Sequence, residues 1–222
     1  MASPTVPDDA AAVRVVGGWA SSFVTRACVA LRLKGVAYEF LQEPLGAKSE
    51  LLLASNPVHK KMPYVDEAFP GPPAILPADP YDRAAHRFWA DYADAKLPTP
   101  LRTLRGMIDG DTAEAAAQVA AALARLEEEA LTACGGKGRP YFGGDGIGFM
   151  DIVLGSYVGW FRAAEMITGR SVLDAATTPR LAEWAARFCA HEAVRDVMPD
   201  DAGRLVEFGK ALRAANAASR AP

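Results

Sequence analysis

Long hydrophobic runs are missing from this sequence. No stretch of about eighteen apolar residues occurs, so no segment is expected to span a bilayer. An excess of basic residues is missing too. The formal net charge is -3, which argues against a phosphate backbone as partner, because nucleic acid needs a basic face. Cysteine is scarce: Cys28, Cys134 and Cys189 are scattered and never form a CxxC pair. That excludes a zinc or disulfide framework and fits a reducing, cytoplasmic compartment. Met1 to Ala12 carries Asp8 and Asp9 and lacks a basic start with an apolar stretch, so no secretion signal is expected. His59, His86 and His191 are not at ligand spacing, and no metal is expected. Gly143 to Gly148 is glycine-rich but matches neither a dinucleotide fingerprint nor a phosphate loop; it reads as a turn and a helix cap.

What is present is a globular composition. The chain has 222 residues, of which 50% are hydrophobic and 23% charged. That is long for one domain and comfortable for two small ones. Val13 to Val16 is a β-branched run ending at Gly17-Gly18, a strand and a turn. Ser21 and Ser22 precede a helical pattern with Phe23, Ala27, Ala30 and Leu31 on one face. Lys34 and Gly35 punctuate its end. Tyr38 to Glu43 reads as a strand, and Lys48 to Ala54 as a short helix before Asn56-Pro57. This order implies an α/β unit with a parallel strand pair. Tyr64 to Phe69 looks like the tail of a helix.

Prolines 70, 72, 73, 77 and 80 then interrupt the pattern. Proline cannot donate to a helix or sheet, so residues 70–80 read as a linker between a first domain, 13–69, and a second, 81–217. Beyond the linker everything reads helical: Tyr81 to Leu97, Thr112 to Ala133, Met150 to Thr168, Pro179 to His191 and Ala202 to Ala217. Gly148 sits at a cap with Asp151 at the third helical position, and Ile147 can pack on Ile152 as a staple. The fold class is α+β, with an all-α bundle following a small α/β domain.

Several segments together resemble the tau class of plant glutathione transferases. Trp19-Ala20-Ser21-Ser22-Phe23-Val24-Thr25-Arg26 resembles the class segment W-x-S-P-F-x-x-R. Ser55 to Pro63, reading S-N-P-V-H-K-K-M-P, looks like S-N-P-V-H-K-K-x-P. Leu76 to Tyr81 and Arg87 to Tyr92 are similar to the domain junction; Tyr141 to Asp145, Asp151-Ile152 and Leu205 to Phe208 match further on. The similarity runs from Val13 to about Leu212. It implies a thioredoxin-like domain joined to a helical domain, a cytosolic homodimer, and transfer of glutathione to hydrophobic electrophiles in detoxification and stress. Glutathione is then a co-substrate, and no cofactor is implied.

The resemblance also assigns residues. The class's catalytic serine falls on Ser21, at the mouth of the first helix, where a hydroxyl donor and the positive helix end both favour a thiolate. Read from the residues, Ser21 or Ser22 simply caps that helix. Ser22 replaces the class proline and adds a second hydroxyl. Lys48 and Lys61 match glutathione-contacting lysines, and Met62-Pro63 matches a cis-proline junction. Phe23, Trp160, Phe208 and Leu212 map near the electrophile pocket, as do Arg102 and Arg105, where the family's fourth helix lines it; Pro98 and Pro100 alter that helix here. Cys28 reads as a buried apolar residue, so the cysteine chemistry of related classes is disfavoured.

One departure is large. In the class, K-K-x-P leads into two strands and a Glu-Ser pair that opens a helix ending Y-[IVL]-D-E. Here Met62-Pro63 runs straight into Tyr64-Val65-Asp66-Glu67. The Glu-Ser pair holds the γ-glutamyl end of glutathione at a helix N-terminus, and no residue here carries over to it. Weak glutathione binding and reduced turnover are expected. The alternative is an impaired chain that carries hydrophobic ligands without catalysis.

Overall fold

A computed structural model describes residues 13–43, 72–135, 138–199 and 201–218. Strand β1 (Val13–Gly17) pairs in parallel with β2 (Tyr38–Gln42), in the register Val13 opposite Tyr38 through Gly17 opposite Gln42. Helix α1 (Ser22–Leu33) makes the crossover. It ends as the sequence predicts. Gly35 takes the left-handed conformation at φ +66°, Val36 N–H donates to Leu31 C=O, and Gly35 N–H to Arg32 C=O. Only glycine enters that region without strain. Val15, Val24, Cys28 and Leu31 form the apolar seam between β1 and α1. The expected helix at Lys48 to Ala54, the turn at Asn56-Pro57 and the helical tail at Tyr64 to Phe69 lie outside the described residues.

The rest is a helical bundle: α2 (Pro80–Lys96), α3 (Pro98–Leu104), α4 (Thr112–Arg125), a π-helical turn (Leu126–Ala130), α5 (Leu131–Gly135), α6 (Phe149–Gly155), α7 (Val158–Thr168), α8 (Pro179–Ala190), α9 (Glu192–Arg195) and α10 (Ala202–Ala218). Its core includes Leu97, Leu101, Leu123, Leu126, Phe142, Leu154, Phe161, Trp184 and Phe188. Asp79 caps α2 and Asp111 caps α4, each carboxylate accepting two backbone N–H groups of the first turn.

One sequence expectation is extended and two are corrected. Pro98 does stop the helix expected to end at Leu97, yet it also opens α3, because proline is tolerated where a first-turn N–H has no partner. The single helix expected over Met150 to Thr168 is two. The Ser156 hydroxyl donates to Val153 C=O at 2.7 Å, competing with the helical ladder, and α7 starts afresh at Val158. Just before the break, a Cβ on Gly155 would lie 2.2 Å from the Phe188 ring, so the helix crossing needs glycine. The helix expected over Thr112 to Ala133 contains the π turn. That turn carries buried Glu127, whose carboxylate accepts from Arg180 N–H at 3.0 Å and Leu181 N–H at 2.8 Å. Glu127 thus caps α8 from another helix, where Thr178 makes no side-chain cap.

Candidate functional site

The site grows from the start of α1. The turn after β1 is closed by Ser21 N–H donating to Gly18 C=O at 2.9 Å. Ser21 is the N-cap, in extended conformation, and its Oγ accepts from Val24 N–H at 3.5 Å. That bond is long. The hydroxyl hydrogen has no acceptor among the described residues. The group is therefore half-exposed, at the positive end of a twelve-residue helix, with a donor to spare. Ser22 is the first helical residue, so of the two serines Ser21 occupies the mouth.

The wall beside Ser21 comes from the bundle. Trp160 of α7 donates its indole N–H to Ala20 C=O at 3.1 Å. Ala20, Trp160, Ala163 and Leu205 form a small apolar cluster with Trp19, Val206 and Phe208 packed on it. Trp19 meets Phe208 edge-on at 5.4 Å between centroids, and Arg204 lies over Trp19 at 4.3 Å. The Arg105 guanidinium lies over the Trp160 ring at 3.7 Å from its centroid. Arg105 ends α3, held by its Nε donating to Leu101 C=O at 3.0 Å and by Gly106 turning left-handed after it. Burial, with Arg102 nearby, lowers its pKa to about 10.

A polar clamp fixes α1 against the bundle one turn beyond Ser21. Arg26 grips Asp94 of α2 with both terminal nitrogens, at 2.8 and 2.6 Å, and its Nε donates to Ser156 Oγ at 3.0 Å. Tyr157 O–H donates to Asp94 at 2.7 Å. Burial opposes the charge on Arg26, but Asp94 and Tyr157 together outweigh it and hold the guanidinium pKa above its ordinary value. Bidentate pairs of this kind fix orientation as well as energy. Asp94→Asn leaves a largely buried guanidinium without its counter-charge. It is expected to cost about 2 kcal/mol, moderated because the Asp94 side chain is 35% exposed. Urea denaturation reads this directly, and an unchanged midpoint would show the clamp to be dispensable.

The expected site residues are therefore partly assembled. Ser21, Trp160, Phe208 and Arg105 share one corner of the molecule. Leu212 lies one turn past Phe208 on α10 and is half-buried. Phe23 is 58% exposed and stacks under Arg26 at 4.8 Å rather than joining the Trp160 cluster. Arg102 is exposed. Lys48, Lys61, Met62 and Pro63 lie outside the described residues. Cys28 is buried, and burial first, then partly offset by Tyr38 and Arg32, raises its thiol pKa; it is a poor thiolate at neutral pH. Asp94, Ser156 and Tyr157 carried no expectation. Arg26 stood in a recognised segment without a role, and that segment was the signal that could have found its partners.

Comparison with known proteins places these features in context. The family description "Glutathione S-transferase, N-terminal domain" matches residues 11–68, and "Glutathione S-transferase, C-terminal domain" matches 109–187. The chain is 45% identical to a probable glutathione S-transferase of Oryza sativa subsp. japonica, GSTU6, covering 90% of this chain and 94% of that protein. It is 44% identical to glutathione S-transferase U17 of Arabidopsis thaliana, covering 90% and 95%. Among solved structures, a tau-class glutathione S-transferase from mango, Mangifera indica, superposes with a TM-score of 0.82 at 44% identity, covering 90% of this chain and 98% of that one. A rice glutathione transferase in complex with glutathione superposes with a TM-score of 0.79 at 34% identity, covering 91% and 96%.

Proposed function

This chain belongs to the tau class of the glutathione S-transferases, a family of enzymes, and from that premise we propose that it conjugates reduced glutathione to hydrophobic electrophiles with Ser21 stabilising the thiolate. The observation carrying this reading is the Ser21 hydroxyl, which caps α1 and has no acceptor for its hydrogen among the described residues, against an aromatic wall. A free thiol has a pKa of about 8.5. Lowering it by roughly two pKa units takes about 2.7 kcal/mol of preferential anion binding. One charge-assisted hydrogen bond plus the helix dipole is of that size. The apolar cluster around Trp160 and Phe208 supplies a wall for the electrophile. Lys48, Lys61, Met62 and Pro63 are proposed to hold glutathione, by resemblance. Tyr81 and Phe88, exposed on α2, offer an apolar face for a second copy in a homodimer.

One observation favours the ligand-carrier alternative. The chain contains no Glu-Ser dipeptide. The alignment with the rice relative runs over 223 positions while taking in 90% of this chain, so that relative has residues with no counterpart here. The deciding experiment is conjugation of glutathione to chlorodinitrobenzene by the purified 222-residue chain. Saturable turnover with a glutathione KM raised above that of the rice and mango relatives is expected. A folded protein with no turnover but intact dye binding would sink the enzyme reading and leave the carrier.

A further inference from the structure

A cavity of about 480 Å³ opens where the first domain meets the helical bundle. That volume suits a small molecule, and such sites favour domain junctions. The end of α1, the linker, the loop before α6 and the turn between α8 and α9 each supply part of its wall. Ser21 caps the start of α1, whereas Arg32 stands in its last turn. At about 1.5 Å per residue the cavity wall is roughly 16 Å along the helix from the serine. Leu33, Ile147 and Ala193 make an apolar side, the last two buried. Arg32, His191, Glu192 and Arg195 make the polar side.

That side carries donors the fold does not use. Arg32 Nη2 donates to Asp196 at 2.9 Å, while its Nε and Nη1 have no partner among the described residues. Arg195 Nε lies 3.9 Å from the same carboxylate, beyond hydrogen-bond reach, and Arg195 makes no hydrogen bond among the described residues. His191 Nδ1 accepts from Ala193 N–H at 3.1 Å. A neutral imidazole then carries its hydrogen on Nε2, which has no acceptor among the described residues. Unused donors thus come from three side chains, and the unused acceptor on this wall is Glu192. The planar fork of a guanidinium matches a carboxylate in two bonds at once. Asp196 and Glu192 balance the two arginines in charge, so a singly charged ligand fits and a dianion such as a phosphate monoester meets repulsion from Glu192. We propose that this cavity is a second ligand site, for amphipathic monocarboxylates, with the carboxylate held by Arg195 and Arg32 and the apolar body against Leu33, Ile147 and Ala193. The site is separate from the chemistry at Ser21 and does not rest on the transferase reading. Its occupant would touch α1 and α9 together and so tie the first domain to the bundle.

The test titrates 2-naphthoate and its neutral isostere 2-naphthamide calorimetrically into the full 222-residue chain. The acid is expected to bind about tenfold tighter than the amide. Equal affinity for the two overturns the proposal without any variant having to fold. Arg195→Gln removes an exposed side chain that makes no hydrogen bond among the described residues, so the fold should tolerate it. It should weaken the acid about tenfold and leave the amide unchanged. Gly146→Phe tests the location. A Cβ at Gly146 meets nothing within 4 Å, so a ring there has room to enter the cavity, and both probes should weaken. Acid binding unmoved by both variants places the ligand elsewhere and overturns the assignment. Excess 1,3-dinitrobenzene, a neutral occupant for the apolar corner at Trp160, should not displace the acid; displacement would put the acid in that corner and overturn it too. None of these readouts is turnover, so the result stands whether or not the chain conjugates glutathione.

Discussion

Ser21→Ala is expected to lower glutathione conjugation about 50-fold at pH 6.5, with a loss that shrinks as the pH is raised. The hydroxyl lowers the thiol pKa in the bound complex; without it that pKa returns toward about 8.5. At a pH near the wild-type value most bound thiol would then be protonated, and a shift of roughly two pKa units removes about 98% of the thiolate. Above both values the two enzymes present the same nucleophile and their rates converge. The signature is thus a displaced pH–rate profile, with a smaller change in glutathione KM. Stability should suffer little. The Ser21 cap bond to Val24 is 3.5 Å, so its loss belongs at the low end of cap deletions, about 0.5 kcal/mol. Ser21→Thr keeps the hydroxyl and should retain much of the rate. Ser22→Ala is the control for the neighbouring hydroxyl. Should Ser22→Ala lose the activity instead, or Ser21→Ala stay within about fivefold of wild type at pH 6.5, the assignment is wrong.

Local features of this molecule could be read from the sequence because local rules produce them. Ser21 at the mouth of α1, Gly35 beyond its end and Asp151 in the first turn of α6 are capping signals within a few residues of one another, and each is where the sequence puts it. The parallel pairing of β1 and β2 follows from the intervening helix, which leaves no room for a hairpin. The functional meaning of Ser21 came from resemblance, since capping and catalysis demand the same residue type there. What could not be read is what the tertiary fold brings together. Arg26 and Asp94 are 68 positions apart and Trp160 and Ala20 are 140 apart; no periodicity links them. Glu127 is one of three consecutive glutamates in a segment read only as helix, and nothing in the sequence singles it out. It becomes a buried cap because the π turn aims it at α8. Pro98 signals a helix end and a helix start equally well, and only the packing of Leu97 and Leu101 into the core decides that both occur.

Asp151→Ala is expected to be the most destabilising substitution in the helical domain. The carboxylate is fully buried and accepts four hydrogen bonds. Oδ1 takes Phe142 N–H at 2.9 Å and the Trp184 indole N–H at 2.7 Å. Oδ2 takes Gly143 N–H at 2.7 Å and Gly148 N–H at 2.8 Å. One side chain therefore ties the Tyr141 to Gly148 loop, the start of α6 and the core tryptophan of α8. Alanine would strand these donors in a dry core at about 3–5 kcal/mol, a fall in Tm on the order of 10 °C. Asparagine is no rescue, because its amide nitrogen would face two N–H groups. The pH dependence supplies an independent check. Burial pushes the Asp151 pKa up to about 6, although the four N–H donors pull it down. The folded chain then holds this proton more tightly than the unfolded chain does. That preference stabilises the fold below about pH 4 and is lost as the pH rises through about 6, a change of about 3 kcal/mol. In paired urea titrations, the gap between wild type and Asp151→Asn should vary over that interval and be constant above it. A gap independent of pH would mean the carboxylate is already ionised at pH 4, with its hydrogen bonds outweighing its burial. A cost for Asp151→Ala below about 1 kcal/mol would show that the loop and α8 are held in place by apolar packing instead.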